Sequence, residues 1–218
     1  MTSFGTIMKN LNWSYLTDIL KSVIPALICI VLHELAHGLA AYKLGDETAK
    51  RMGRLTLNPL KHIDPLGLIC MAVLHFGWAK PVPVNMYNFK NPKRGMAATA
   101  LAGPMMNLLI SAVFLGVFSL SFEKLAISDF GIQVLQFLYT TAYLSLYLAL
   151  FNLVPIPPLD GSKVLFSFLP DEHYRKLMRY ERYGMIIFAV IIFSGVITRP
   201  LSTAVDFVFR RLFSLIVR

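Results

Sequence analysis

The sequence predicts an all-α polytopic membrane protein, a helical bundle with a small membrane-associated β-strand, hairpin or re-entrant element. Hydrophobic residues make up 56% of the chain and charged residues only 15%, whereas soluble domains carry about 25% charge. Two runs, Met96–Phe122 and Gly131–Leu159, contain no Asp, Glu, Lys, Arg or His, and each exceeds the roughly 20 residues that a helix needs to cross a bilayer. The length of 218 residues suits one membrane-embedded domain, 1–218.

The first predicted span runs from about Ile19 to Leu44, just before Gly45. Residues 1–18 are of mixed character and contain Trp13 and Tyr15, aromatic residues typical of the headgroup level. We therefore expect an interfacial segment followed by a span. A basic loop comes next, and its positive residues are Lys43, Lys50, Arg51, Arg54 and Lys61.

The apolar run 65–79 lies between this loop and a second basic group, Lys80, Lys90, Lys93 and Arg94. If both groups are cytoplasmic, the run cannot cross the membrane once, and we expect it to dip in and return. The segment after it contains Pro81 and Pro83. Each proline disfavours helix at the preceding residue, so residues 78–85 are predicted to be an edge strand or hairpin.

Two further spans complete the predicted bundle. Met96–Phe122 crosses outward and Gly131–Leu153 crosses back, and 184–198 is either a short span or a re-entrant segment. The tail, residues 200–218, is apolar but carries two arginines, which favours an amphipathic interfacial helix. The net charge of +9 arises from basic residues between apolar runs. The positive-inside rule accounts for such a pattern, and nucleic-acid binding is not expected.

The first span contains the segment His33-Glu34-Leu35-Ala36-His37. Two histidines four residues apart lie on one face of a helix, about 6 Å apart along its axis, and can hold one Zn²⁺. In this H-E-x-x-H pattern Glu34 acts as the general base. A hydrogen-bonded histidine pair in the core is the plainer reading, but ionisable residues in an apolar span are costly and usually functional.

Catalytic zinc usually has three protein ligands, so a third ligand is expected outside this helix. Asp160 is the leading candidate, because it follows the inward-running span 131–153 and therefore lies on the same cytoplasmic side as the histidines. The rival candidates have plainer explanations as turn, buried or surface residues, and they are His62, Asp64, His75 and His173.

The chain resembles the site-2 protease family of intramembrane zinc metallopeptidases, in a small form without a PDZ or nucleotide-sensing domain. The resemblance covers most of residues 30–162. It is most specific in the combination of the H-E-x-x-H segment with the Asn-x-x-Pro-x-Pro-x-x-Asp-Gly passage. It rests on four passages in the expected order, His33–His37, Gly77–Asn85, Ala102–Asn107 and Asn152–Gly161.

The resemblance implies that His33, His37 and Asp160 bind one zinc ion per chain, with Glu34 as catalytic base and acid. It also implies that Asn152 helps to hold the substrate backbone near the metal. The extended segment would lie beside the substrate, through Pro81, Val82, Pro83 and Val84. Gly103, Pro104 and Asn107 also have a structural reading, since glycine allows close helix approach and asparagine bonds between helices.

The sequence thus predicts an intramembrane metalloprotease that hydrolyses peptide bonds in or near transmembrane segments. Its expected location is the cell membrane, as a multi-pass protein with its active site towards the cytoplasm. A membrane metal-binding or transport protein is the alternative. Transport favours charged residues or histidines along several spans, whereas the runs 96–122 and 131–159 contain neither. A protease-like fold that only binds membrane segments is a third reading, and it would not require Glu34.

Overall fold

Helices dominate the computed structural model, which describes residues 13–67, 70, 78–180 and 184–217. Three helical segments among these residues are long and apolar enough to cross a membrane, Lys21–Lys43, Pro92–Leu125 and Asp129–Asn152. The predicted helical membrane protein is confirmed. The helices are α1 Trp13–Lys43, α2 Thr48–Arg51, α3 Pro92–Leu125, α4 Asp129–Asn152, α5 Asp160–Phe166, α6 Asp171–Tyr180, α7 Gly184–Ser194 and α8 Thr198–Ile216, with single 3₁₀ turns at Pro59–Lys61 and Met86–Asn88.

Capping residues set the N-terminal ends of α3 and α4, the helices that contain the two longest apolar runs. The Asn91 side chain accepts a hydrogen bond from the Arg94 amide, and Pro92 occupies the first turn, so α3 begins four residues before the apolar run. The Ser128 side chain accepts a hydrogen bond from the Gly131 amide and starts α4 in the same way. Each helix therefore extends to a polar cap beyond the apolar sequence that predicted it.

The predicted strand or hairpin at 78–85 is extended chain, and the described residues form no hairpin there. Ala79 and Ile63 make an isolated antiparallel bridge, and the Lys80 amide donates to the His62 carbonyl at 2.9 Å. Within the described ranges no strand extends beyond this bridge. Pro81 and Pro83 have no N–H group, so the ladder cannot continue. Most of the predicted dip at 65–79 lies outside the described residues.

An apolar cluster joins the second half of α3 to α4 and α8. Its fully or nearly fully buried members are Leu115, Ala142, Leu146, Leu201, Val205 and Phe209. Contacts along α8 show that it runs antiparallel to α4. The Asp206 carboxylate accepts a hydrogen bond from the Tyr143 hydroxyl at 2.9 Å, and the Phe209 ring packs against the Tyr139 ring.

Candidate metal centre

Helix α1 carries His33 and His37 one turn apart in the protein interior. Their side chains are almost completely buried, and the two rings meet edge to face with centroids 4.5 Å apart. The Nε2 atoms of the two rings are 3.0 Å apart. The four-residue spacing therefore places both nitrogens at one point beside the helix, as the sequence predicts.

Asp160 reaches the same point from a distant part of the chain. It is the first residue of α5, and its Oδ2 atom lies 3.2 Å from Nε2 of His33 and 3.1 Å from Nε2 of His37. The proline-containing turn after α4 brings it there. Gly161 follows, where a Cβ atom would collide with the Leu153 carbonyl. Glycine is needed at this position because α5 starts directly against the end of α4.

The geometry and chemistry of these three side chains fit one zinc ion. Ligand atoms around a tetrahedral zinc with bonds of about 2.0–2.1 Å are about 3.3–3.4 Å apart, close to the 3.0–3.2 Å separations found here. Within the described part of the chain they form the group of three side chains able to hold a metal ion. A carboxylate and two imidazole nitrogens that point at one another are stabilised by a shared cation.

The tautomer of His37 is set by the backbone. Its Nδ1 atom lies 2.7 Å from the Thr99 carbonyl oxygen, which can only accept a hydrogen bond. The Nδ1 atom therefore carries the proton and donates it, and the lone pair of Nε2 points into the site. Metal-binding histidines are commonly held through their second nitrogen in this way.

Helix α3 provides the opposite wall of the site through Gly103 and Asn107. A Cβ atom at Gly103 would collide with both imidazole rings, so only glycine leaves them room. Asn107 is fully buried, and its Nδ2 atom lies 3.2 Å from Nδ1 of His33. The sequence reading favoured a structural role for both residues. Their spacing of four residues, about one helical turn, was the sequence signal that both residues could face the same site.

Glu34 lies beside the cluster and is tied to the extended segment. Its Oε2 atom accepts a hydrogen bond from the Val82 amide at 2.8 Å. The segment is fixed at its far end, where the Asn85 amide donates to Oδ2 of Asp46 at 2.7 Å. Burial alone would raise the pKa of Asp46, but hydrogen bonds from Thr48, Asn85 and Asn88 lower it below its ordinary value. The predicted substrate segment thus lies against the predicted catalytic base.

The rival metal ligands in the described part of the chain do not belong to this cluster. The buried His62 donates from Nε2 to the Thr56 carbonyl at 2.9 Å, and Oδ1 of Asp64 accepts hydrogen bonds from two amides in the next turn. His173 is exposed on α6, and His75 lies outside the described residues. Asn152 donates from Nδ2 to the Leu148 carbonyl at 2.9 Å, so its role beside the substrate stays a prediction.

The apolar bundle and its buried H-E-x-x-H cluster define the class of membrane zinc metallopeptidases. The model of the family described as Peptidase family M50 matches residues 22–197. The chain belongs to this family, the site-2 protease family, which confirms the resemblance.

Curated relatives agree with the family assignment. "Putative zinc metalloprotease YwhC" of Bacillus subtilis (strain 168) is 43% identical over 175 residues, which are 78% of this chain and 78% of the relative. "Putative zinc metalloprotease Rip2" of Mycolicibacterium smegmatis is 31% identical over 191 residues, 85% of this chain and 71% of the relative. "Putative zinc metalloprotease MJ0611" of Methanocaldococcus jannaschii is 32% identical over 155 residues, 71% of this chain and 73% of the relative. No solved structure matches the chain significantly.

The protein is therefore a membrane zinc metalloprotease, as the sequence predicts. Zinc is its metal, and nothing in the family or the relatives favours the alternative of a non-proteolytic metal-binding or transport protein.

Proposed function

We propose that this protease cleaves membrane proteins in or near their transmembrane segments, with His33, His37 and Asp160 as zinc ligands and Glu34 as catalytic base. The carrying observation is the convergence of three buried ligand atoms within 3.2 Å of one another, beside helices apolar enough to span a bilayer. On the same proposal residues 1–218 form one peptidase domain with 200–218 as an amphipathic tail; most of the predicted interfacial segment 1–18 lies outside the described residues.

When bound by His33, His37 and Asp160, zinc would supply an activated water at neutral pH and would polarise the scissile carbonyl. The protein's own residues position the other participants. The Val82 amide holds Oε2 of Glu34, so Oε1 is the oxygen that takes the proton of the attacking water. As the water oxygen bonds to the carbonyl carbon and the C–N bond breaks, Glu34 returns this proton to the leaving amine.

The substrate must be partly unwound, because a helix hides its amides in hydrogen bonds. The extended segment Pro81–Val84 can hold an unwound stretch by adding it as a strand. Its prolines offer carbonyl acceptors without N–H donors, and its Val82 is hydrogen-bonded to the catalytic base. We place the substrate backbone along this segment, with Asn152 at the end of α4 as a second contact.

The proposed location is the cell membrane, as a multi-pass protein with the site towards the cytoplasmic face, where the basic loops lie by the positive-inside rule. Single cysteines at positions 48 and 127, before and after the long helix α3, test this topology. Thr48→Cys should react with a membrane-impermeant thiol reagent only after the membrane is opened, and Ile127→Cys should react in intact cells. Labelling of both from one side would contradict the topology.

Glu34→Gln tests the mechanism. An amide cannot take the proton, so cleavage should fall by at least about 100-fold, the lower end of a general base's contribution, while zinc stays bound. The measurement is incubation of purified protein with a panel of single-span substrates, together with metal analysis. Glu47→Gln is the matched control, since this exposed glutamate pairs with Arg51 and should cleave normally. Wild-type cleavage rates in Glu34→Gln would exclude Glu34 as the base.

A further inference from the structure

The two histidines of the metal site differ in what holds their second nitrogen. Nδ1 of His37 faces the Thr99 carbonyl, a group that only accepts, so its tautomer is fixed. Nδ1 of His33 faces the side-chain amide of Asn107 at 3.2 Å. An amide can donate through Nδ2 or accept through Oδ1, so the tautomer of His33 depends on how Asn107 is oriented.

Only one orientation of Asn107 is compatible with a metal on His33. If Nδ2 donates to Nδ1, the ring proton lies on Nε2, and His33 cannot offer that nitrogen to a metal. If the amide is reversed, Oδ1 accepts the Nδ1 proton and the Nε2 lone pair is available. The two ends of an amide have nearly the same shape, so either orientation fits the same space.

Reversing the side-chain amide of Asn107 breaks no hydrogen bond of its Oδ1 atom, so the metal-binding tautomer of His33 selects the acceptor role. The residue is fully buried, and in the orientation with Nδ2 towards His33 its Oδ1 atom has no hydrogen-bond partner among the described residues. Its backbone carbonyl accepts a hydrogen bond from the Ser145 hydroxyl at 2.8 Å. That bond ties α3 to α4, so the side chain is presented to His33 from a fixed backbone.

We propose that Asn107 is a positioning residue of the metal site, whose Oδ1 atom accepts the Nδ1 proton of His33 and holds this histidine in its metal-binding tautomer. The inference rests on the proposed zinc ligands. It gives α3 a share in building the site, because Thr99 holds one ligand and Asn107 holds the other. Loss of such a second partner typically lowers metal affinity by about 10–100-fold.

Two substitutions separate the acceptor role from packing. Asn107→Leu keeps the approximate volume but removes the acceptor, and we expect zinc affinity to fall by about 10–100-fold. Asn107→Asp keeps an acceptor oxygen and removes the donor, and zinc affinity should equal or exceed that of the wild type. Ser111→Ala, one turn further along α3 and also buried, is the control and should bind zinc normally.

The measurement is zinc competition against a chelator of known affinity in detergent, with the visible spectrum of bound Co²⁺ as a second readout of ligand geometry. Thermal unfolding of the zinc-free proteins checks that each variant is folded. Wild-type zinc affinity in Asn107→Leu would overturn the inference. Equal losses in Asn107→Leu and Asn107→Asp would also overturn it, since they would mean that the residue donates or only packs.

A ligand variant distinguishes this inference from the proposed function. His37→Ala should lose zinc whatever Asn107 does, because it removes a ligand. If His37→Ala retained full zinc affinity, the ligand set itself would be wrong. If His37→Ala loses zinc and Asn107→Leu does not, the ligand set stands and the role of Asn107 falls.

Discussion

The run Met96–Phe122 of helix α3 carries no charge, but its two halves face different surroundings. In the first half Thr99, Gly103 and Asn107 lie against the two histidines of the metal site. In the second half Leu115 and Phe118 are buried in apolar clusters with α4 and α8. One continuous helix therefore forms a wall of the candidate metal site at one end and part of the apolar core at the other.

This difference shows how an apolar span can serve chemistry without an ionisable residue of its own. The first half contributes the backbone carbonyl of Thr99, the space left by Gly103, which has no side chain, and the neutral amide of Asn107. Each is inexpensive in a bilayer compared with a charge, and together they orient ligands that α1 supplies. The second half contributes shape and contact. Mutations in the first half should therefore change zinc affinity, and mutations in the second half should change the stability of the fold.

Leu115→Ala should have the largest effect, and it should act on stability. The side chain is fully buried among α3, α4 and α8, and truncation of such a leucine costs about 2–5 kcal/mol. Zinc affinity should not change. Unfolding of the purified protein in mixed detergent micelles measures the first quantity and chelator competition the second. Leu120→Ala, at an exposed leucine of the same helix, is the control, and a loss of zinc affinity in Leu115→Ala would contradict the division.

Gly103→Ala should act on the site. The added methyl group would lie within 2.6 Å of Cε1 of either histidine, and such overpacking costs about 1–3 kcal/mol. Zinc affinity should then fall about 5- to 150-fold. The fold should survive, because alanine favours helix over glycine by about 1 kcal/mol. Gly116→Ala is the matched control on the same helix, since a Cβ atom there meets nothing within 4 Å; similar zinc loss in both variants would refute the steric explanation.

Thr99→Val should have the smallest effect and should sharpen the comparison. The backbone carbonyl of Thr99 holds His37, whereas its hydroxyl is buried without a partner among the described residues. Valine has the same shape, so zinc affinity should stay at the wild-type value and stability should rise by about 1 kcal/mol. Thr141→Val, which removes a hydroxyl bonded to the Phe137 carbonyl, should bring no such gain. Weaker zinc binding in Thr99→Val would assign the contact to the side chain instead.

Local patterns predicted the elements of this fold well. Charge-free runs identified α3 and α4 to within a few residues, because a bilayer imposes length and composition on any helix that crosses it. The real ends lie further out, at Asn91 and Ser128, where side chains cap the first turn. The strand prediction at 78–85 was less successful, because the prolines that favour extended chain also prevent pairing.

The candidate site could be predicted only in part. His33 and His37 follow from helical spacing, and Asp160 followed from matching depth and from the family resemblance. The bond from the Val82 amide to Glu34 has no signature in the sequence, because every residue except proline carries the same backbone donor. The contact of Asn107 with His33 joins two different spans, and residue types alone do not determine which faces of two helices meet.

The separation of the proposed zinc ligands also bears on how the protein is made. His33 and Asp160 are 127 residues apart in the chain, and ribosomes add about 5–20 residues per second. For about 6–25 s after the H-E-x-x-H helix is synthesised, the nascent chain lacks its third ligand. If the proposed ligand set is correct, the histidine pair enters the membrane without a complete zinc site, and we expect the nascent protease to be inactive until α5 has been synthesised and docks.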